Sequence, residues 1–517
     1  MANKKLFQSM IGKLIPQADT INREGAPAYQ FNAEHQLAQY AVTGCLNATF
    51  YASAEEQLEK TLNICKAIEP KFIAQAALFC REQGFMKDMP ALLCAFLATK
   101  DTELLKKIFP RVINNGKMLR NFVQMIRSGV VGRKSLGTVL KKLVLQWIEK
   151  RNDEDLFFAS VGNDPSLADI IKMVHPKPKT QSQEALFGYL IGKPYKPEHL
   201  PALVSAYEEF KAGKTINFPK APMEMLTSLE LSSESWNEIA KQGSWFMTLM
   251  NLNTFLRHKA FEKKDMVELI AKRLKDPQVV KKAKVFPYKI MVAYCMASID
   301  MPKSILAALQ DAMEISLDNV PKIEGKVFVC PDVSGSMASP ATGFRKGSTS
   351  VVRCIDIAAL VAGAVVCKNP DAEVLPFAET VKQIPINPRD SVMSNAQKLS
   401  SIGGGGTNCS APLVLLNQKN VKGDVVIFIS DNQSWIDAKG KTGTATMHEW
   451  NGFKKRNPHA KLICIDIQPY GTTQAIERED ILNIGGFSDQ VFTTVVNFIN
   501  GKLDAGHWVE VIKKVEL

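Results

Sequence analysis

The chain lacks what a disulfide scaffold, a zinc ribbon or a membrane span would need. Ten cysteines are spread over 517 residues and no CxxC pair occurs. No disulfide framework or zinc ribbon is therefore expected, and the thiols read as reduced and mostly buried. No stretch reaches the ~20 consecutive apolar residues that cross a bilayer. The best candidate, residues 357–367, is short, follows Asp356 and reads as a buried helix. The N-terminal MANKKLFQSMIGKL has no apolar core and no small-residue cleavage site, so the expectation is a soluble cytoplasmic protein without membrane contact. Motifs of several enzyme classes are missing too. There is no GxSxG elbow, no GxxxxGKS/T phosphate loop and no HExxH, and the seven histidines show no paired metal-ligand spacing. No catalytic activity is expected.

What is present describes a folded chain of more than one domain. Hydrophobic residues make up 46% and charged residues 22%, which excludes disorder as the main state. The length exceeds one ordinary core, so two or three domains are expected. The net charge of +12 is uneven: residues 1–324 hold 44 basic and 34 acidic side chains, and residues 325–517 hold 20 and 18. A basic excess on one part of a chain suggests a polyanionic partner, most often nucleic acid, although it is also ordinary solubility charge.

Two textures follow one another. Residues 33–318 read as helix after helix with short Pro- or Gly-marked breaks, such as Glu69-Pro70, Asn115-Gly116 and Phe218-Pro219. In 136–148, Leu136, Val139, Leu140, Leu143, Val144, Trp147 and Ile148 repeat at helical spacing and form one apolar stripe. An α-solenoid with a diverged repeat and a compact irregular helical domain both fit this pattern. After Pro321, apolar strands at 326–330, 373–377, 424–429 and 461–467 alternate with helices at 351–367, 390–400, 446–456 and 490–499. That alternation predicts βαβ units and a buried parallel sheet, a doubly wound α/β domain whose ligands sit at the carboxyl ends of strands.

The strand 326–330 runs straight into Asp332-Val333-Ser334-Gly335-Ser336. In an extended segment alternate residues share a face, which would aim Asp332, Ser334 and Ser336 at one point. One carboxylate and two hydroxyls form a hard oxygen set suited to Mg²⁺ or Mn²⁺ rather than zinc. Asp431 follows the strand 424–429 toward the same sheet edge. The loop 403–408 (GGGGTN) allows close backbone approach and offers Thr407. These five positions resemble, in order and element, the metal-ion-dependent adhesion site of von Willebrand factor A domains. The resemblance implies direct coordination by the hydroxyls, partly water-mediated carboxylates, and one open position for a partner's carboxylate.

The whole chain resembles the Ro60/Rsr family of TROVE-module Ro ribonucleoproteins. The resemblance is carried by LAQYAVTGCLNATFY (37–51), SLGTVLKKLVLQW (135–147), DIIKMVHPKP (169–178) and KVFPYKIMVAYCM (284–296). In the last third it is carried by DVSGSM, GGGGTNCSAPL, ISDNQSW and IGGFSDQVF. It implies a two-domain α plus α/β chain, a HEAT-like helical-repeat ring closed by an A domain. The division would be an N-terminal arm over 1–32, a TROVE RNA-binding domain over 33–320 and the A domain over 325–517. It further implies a monomeric ring that binds single-stranded 3′ ends of misfolded or structured noncoding RNAs and Y-like RNAs, in RNA quality control, with an exoribonuclease as a further partner. His175 matches a family histidine at the RNA surface, and Lys172, Lys177 and Lys179 flank it. A second candidate surface carries Arg133, Lys134, Lys141 and Lys142, and a third Arg257, His258 and Lys259. Trp245 and Phe246 read as core. One departure stands out: 157–164 (FFASVGND) has no basic residue where relatives have them. The competing reading is a metal-dependent protein-interaction scaffold, with an AAA+ ATPase among its partners.

Overall fold

The computed structural model describes residues 16–43, 46–84, 86–215, 217, 219–283, 287–344, 352–436, 443–486, 489–501 and 507–517. Residues 1–15 of the N-terminal arm expected over 1–32, and Phe218 of the Phe218-Pro219 break, lie outside them. The chain forms two compact units. One takes in the chain through Ala67, Lys284–Met296 and Gln310–Lys514; the other takes in Ile68–Ala283, Ala297–Leu309 and Val515–Leu517. The spatial division thus differs from the linear one, because the chain through Ala67 packs with the α/β unit.

The α/β unit begins with β1 (Thr20–Ile21) and β2 (Pro27–Gln30), an antiparallel pair. Its sheet is built from β3 (Val327–Pro331), β4 (Glu373–Val374), β5 (Val425–Ser430), β6 (Lys461–Asp466) and, after the short β7 (Thr472–Thr473), β8 (Ile481–Gly485). All five sheet strands are parallel, in the order β4-β3-β5-β6-β8. β3, β5 and β8 are buried along their whole length, as expected of strands covered on both faces. β2 pairs antiparallel with β7, which fixes the N-terminal hairpin to this unit. The helix expected at 351–367 is Cys354–Lys368, with an apolar run that is nearly all buried; residue 351 lies outside the described residues.

The order β4-β3-β5 places a topological switch point between β3 and β5. The chain leaves β3 for one side of the sheet and reaches β5 from the other, opening a crevice at their carboxyl ends.

In the helical unit several helices start on a polar side chain that satisfies free amides. Asp101 accepts from the amides of Glu103 and Leu104, Asn115 from Met118, and Ser166 forms a capping box with Asp169. The packing follows a repeat. Pro70–Glu82 packs on Asp88–Lys100 and on Thr102–Val112; Asp88–Lys100 packs on Gly116–Arg127, and Thr102–Val112 on Gly137–Glu149. Gly116–Arg127 meets Asp153–Ala159, and the latter meets Gln181–Ile191. Each helix touching the next but one is how a helical solenoid stacks, which resolves the alternatives left by the sequence. A Cβ on Gly116 would lie 2.5 Å from the Ala159 Cα, so this helix crossing requires glycine.

Candidate metal centre and candidate nucleic-acid surface

Asp332 and Asp431 leave β3 and β5 on the two sides of the switch point, and both are buried. The Asp332 amide donates to the Ile429 carbonyl at 2.9 Å, continuing the sheet ladder. The extended geometry expected for the D-x-S-x-S segment is not what forms. Gly335–Ala338 is a 3-10 turn that Ser334 precedes in extended conformation, without a side-chain capping bond. The tight turn still brings the hydroxyls of Ser334 and Ser336 to 3.4 Å of each other. The Ser334 amide donates to Asp332 Oδ1 at 2.8 Å. The 403–408 loop is sewn to this turn by Gly404 N to Val333 O and Gly335 N to Gly405 O, both 2.9 Å. Thr407 is buried, and its carbonyl accepts from the Trp435 amide at 3.0 Å, joining the loop to the segment after β5. Gly404 and Gly405 have φ of 123° and 90°, so a side chain there would strain the loop.

Among the described residues no basic side chain acts on the Asp332 and Asp431 carboxyls. Burial raises the Asp332 carboxyl, against the hydrogen bonds of Ser334 and Ser430. Burial and then the charge of Asp332 push Asp431 up to about 7, against a hydrogen bond from Ser336. Two buried carboxylates that oppose one another's ionisation, backed by neutral hydroxyls, are a donor set that a hard divalent cation would fit. Among the described residues no three His, Cys, Asp or Glu side chains gather as a metal cluster, so the fit rests on this mixed oxygen set.

Several residues around the centre were not anticipated. Ser430 donates to Asp332 Oδ2 at 2.6 Å. Asp466, at the end of β6, is buried, raised well above the usual carboxylate range by burial and the Asp431 charge, and hydrogen-bonded by Asn432. Both end apolar strands at the same sheet edge as Asp431, a signal present in the sequence. Tyr51 had no such signal; burial and then Asp431 raise its hydroxyl, which bonds Glu24 and Ser336. The β1–β2 turn reaches the same region, with Asn22 Nδ2 donating to the Ser434 carbonyl and the Arg23 amide to Gln433 Oε1 at 2.8 Å.

The RNA-surface candidates sort differently. Lys172, His175, Lys177 and Lys179 are exposed at and beyond the end of the Leu167–Val174 helix. His175 is that helix's C-cap, left-handed at φ 53°, with its amide donating to the Ile171 carbonyl at 2.9 Å. Lys134, Lys141 and Lys142 are exposed. Arg133 is committed locally, its guanidinium donating to the carbonyls of Ser135, Ala98 and Leu136. Lys179 Nζ donates to the Glu149 carbonyl at 3.0 Å, which joins the 172–179 segment to the end of the Gly137–Glu149 helix. In the third candidate, His258 stacks on Trp236 with centroids 4.1 Å apart. Trp245 is buried as expected, but Phe246 is 45% exposed.

Fold and site together define a helical-repeat protein joined to a von Willebrand factor A-type domain. Family models match both parts: the TROVE domain over residues 148–304 and the Ro60 vWA domain over residues 326–499. In both parts the chain resembles the Ro60/Rsr family. It is 23% identical to the RNA-binding protein RO60 of Deinococcus radiodurans over 93% of this chain and 95% of that protein. It is 24% identical to the RNA-binding protein RO60 of Caenorhabditis elegans over 46% of this chain and 37% of that protein. The crystal structure of the Deinococcus radiodurans RO (RSR) protein matches with a TM-score of 0.64 and 20% identity, covering 91% of this chain and all of that one.

Proposed function

We propose that the protein binds noncoding RNA through its helical unit and has no catalytic activity of its own. The observation that carries this reading is the exposed cationic surface on which Lys172, Lys177, Lys141 and Lys142 stand on neighbouring elements linked by Lys179. Exposed ammonium groups neutralise phosphates without reading bases, which gives broad, salt-dependent binding. The names of the two RO60 relatives support the same partner class. The finer reading is binding of single-stranded 3′ ends of misfolded or structured noncoding RNAs and of Y-like RNAs, in RNA quality control. An exoribonuclease is the expected protein partner. Sequencing the RNA that co-purifies with the full-length chain tests the partner class. Labelled RNA incubated with the protein and Mg²⁺ should stay intact.

A second reading concerns the α/β unit and rests on the buried Asp332–Asp431 pair. Asp332, Ser334, Ser336, Thr407 and Asp431 would hold one divalent cation, Mg²⁺ first and Mn²⁺ second. A cation bound there supplies an open position for a partner's carboxylate. Calorimetric titration of the full-length protein with Mg²⁺ tests it, and protein partners released by EDTA would extend it to a scaffold role.

A further inference from the structure

The helices Thr102–Val112 and Gly137–Glu149 enclose a cleft of about 460 Å³. That lies within the roughly 300–1,000 Å³ that small-molecule sites occupy. We propose that this cleft receives one unpaired nucleotide of a bound RNA strand, with the base inside and its phosphates on the rim. The proposal rests on the RNA-binding reading and adds a base-holding pocket to it.

The cleft is apolar inside and cationic at its mouth. Phe109, Leu143 and Trp147 form its floor. Val139 belongs to the apolar stripe of its helix yet stays 36% exposed, because it faces the cleft rather than a neighbouring helix. Pro110, in the last turn of Thr102–Val112, has no amide hydrogen to give the Lys106 carbonyl, and both residues line the wall. Lys106, Lys142, Lys150 and Arg151 stand around the opening, and no carboxylate lines it. The nearest acid paired with these cations is Glu103, on Lys106 at 2.6 Å, and both of those side chains are solvent-exposed.

One feature goes beyond a greasy groove with a charged edge. The Arg151 guanidinium lies 4.5 Å from the centroid of the Trp147 ring. It is held there by a hydrogen bond from Nη2 to the Asn114 carbonyl at 3.2 Å. The Trp147 indole is itself fixed by donating to the Ile113 carbonyl. A guanidinium held over a hydrogen-bonded indole extends the ring surface outward, and unpaired bases stack on guanidinium planes. Lys142 and Lys150 then lie where the flanking phosphates would run. A free aromatic metabolite would need only the floor. The four unpaired or weakly paired cations favour a polyanionic strand.

The test uses the full-length protein and two fluorescein-labelled single strands, an oligoadenylate and an abasic phosphodiester of equal length, read by anisotropy. Wild type should bind the oligoadenylate roughly tenfold more tightly than the abasic strand. Val139→Trp, which fills the cleft from an exposed position, should remove most of that preference. It should leave the melting temperature and the abasic affinity unchanged. Lys142→Ala with Lys150→Ala should weaken both strands and flatten their salt dependence. If wild type binds both strands equally, or Val139→Trp keeps the preference, the pocket is wrong while RNA binding stands. If neither strand binds, both readings fall. Free adenosine monophosphate binding as tightly as the oligoadenylate would mark a mononucleotide site and overturn the assignment to RNA.

Discussion

The two units handle charge in opposite ways. The α/β unit buries three carboxylates, Asp332, Asp431 and Asp466, at a sheet edge and sets hydroxyls beside them, so each is fixed by a strand end or a hydrogen-bonded turn. The helical unit leaves its lysines in solvent, and pairs such as Lys106–Glu103, Lys211–Glu208 and Lys241–Glu238 lie on the helix surface. A buried site depends on each member, because removing one leaves its neighbours uncompensated. An exposed cationic surface is additive, and each lysine contributes a small, salt-screened share. Arg133 shows where the line falls: it has become part of the scaffold, while Lys141 and Lys142, on the helix that follows, have not.

The sharpest test of this contrast is Asp332→Ala. Mg²⁺ affinity should fall by roughly a hundredfold or more, while RNA affinity and a cooperative melt are retained. Loss of the cooperative melt in this variant would show the centre to be structural, and a parallel loss of RNA affinity would break the separation of the two units. Next in size is the combined change of Lys141, Lys142, Lys172 and Lys177 to Ala. RNA affinity at low salt should drop by more than about tenfold, and the log–log salt slope should shrink by roughly 0.7 for each phosphate contact removed. An unchanged slope would mean that these lysines face solvent only.

A smaller effect is expected at a buried ion pair outside the metal centre. Burial raises the Asp480 carboxyl, but Arg478 and the Trp450 indole outweigh it and hold it below the usual carboxylate range. A depressed folded-state value contributes stability that is present above the unfolded value near 4 and lost as pH falls through the folded one. Asp480→Asn should therefore cost about 1–3 kcal/mol at neutral pH and make the α/β unit's melt less sensitive to acid. Denaturant melts at pH 7 and pH 3 read both. The smallest effect is expected from Glu103→Ala, which breaks the solvent-exposed pair with Lys106. It should change stability by no more than about 0.5 kcal/mol. A change as large as that of Asp480→Asn would erase the distinction between buried and exposed charge drawn here.

Much of the α/β unit was legible because its strands are buried on both faces and so read as apolar runs. β3, β5 and β6 fall within a residue or two of the segments 326–330, 424–429 and 461–467. β4 is shorter than 373–377, although the amides of Leu375 and Phe377 still donate to the Val329 and Pro331 carbonyls. β8 was missed because Asn483 interrupts its pattern, and its side chain is satisfied inside the core by donating to the Ala475 carbonyl at 2.9 Å. β1, β2 and β7 are too short to show a period. The helix Gly137–Glu149 matched its stripe except at Val139, whose exposure depends on how far the neighbouring helix approaches.

The sequence by itself determined the strand ends that carry Asp332 and Asp431, the glycine loop that carries Thr407, and the uneven charge, because these are local properties of neighbouring residues. Only the tertiary structure decided that Ser430, Asp466 and Tyr51 surround the centre, that Arg133 is consumed by backbone carbonyls, and that Lys179 ties the 172–179 segment to the 137–149 helix. Each of those contacts joins segments whose approach is set by packing between elements. No period or motif along the chain encodes that approach, and it is also what turns an apolar stripe and four separate cations into a cleft.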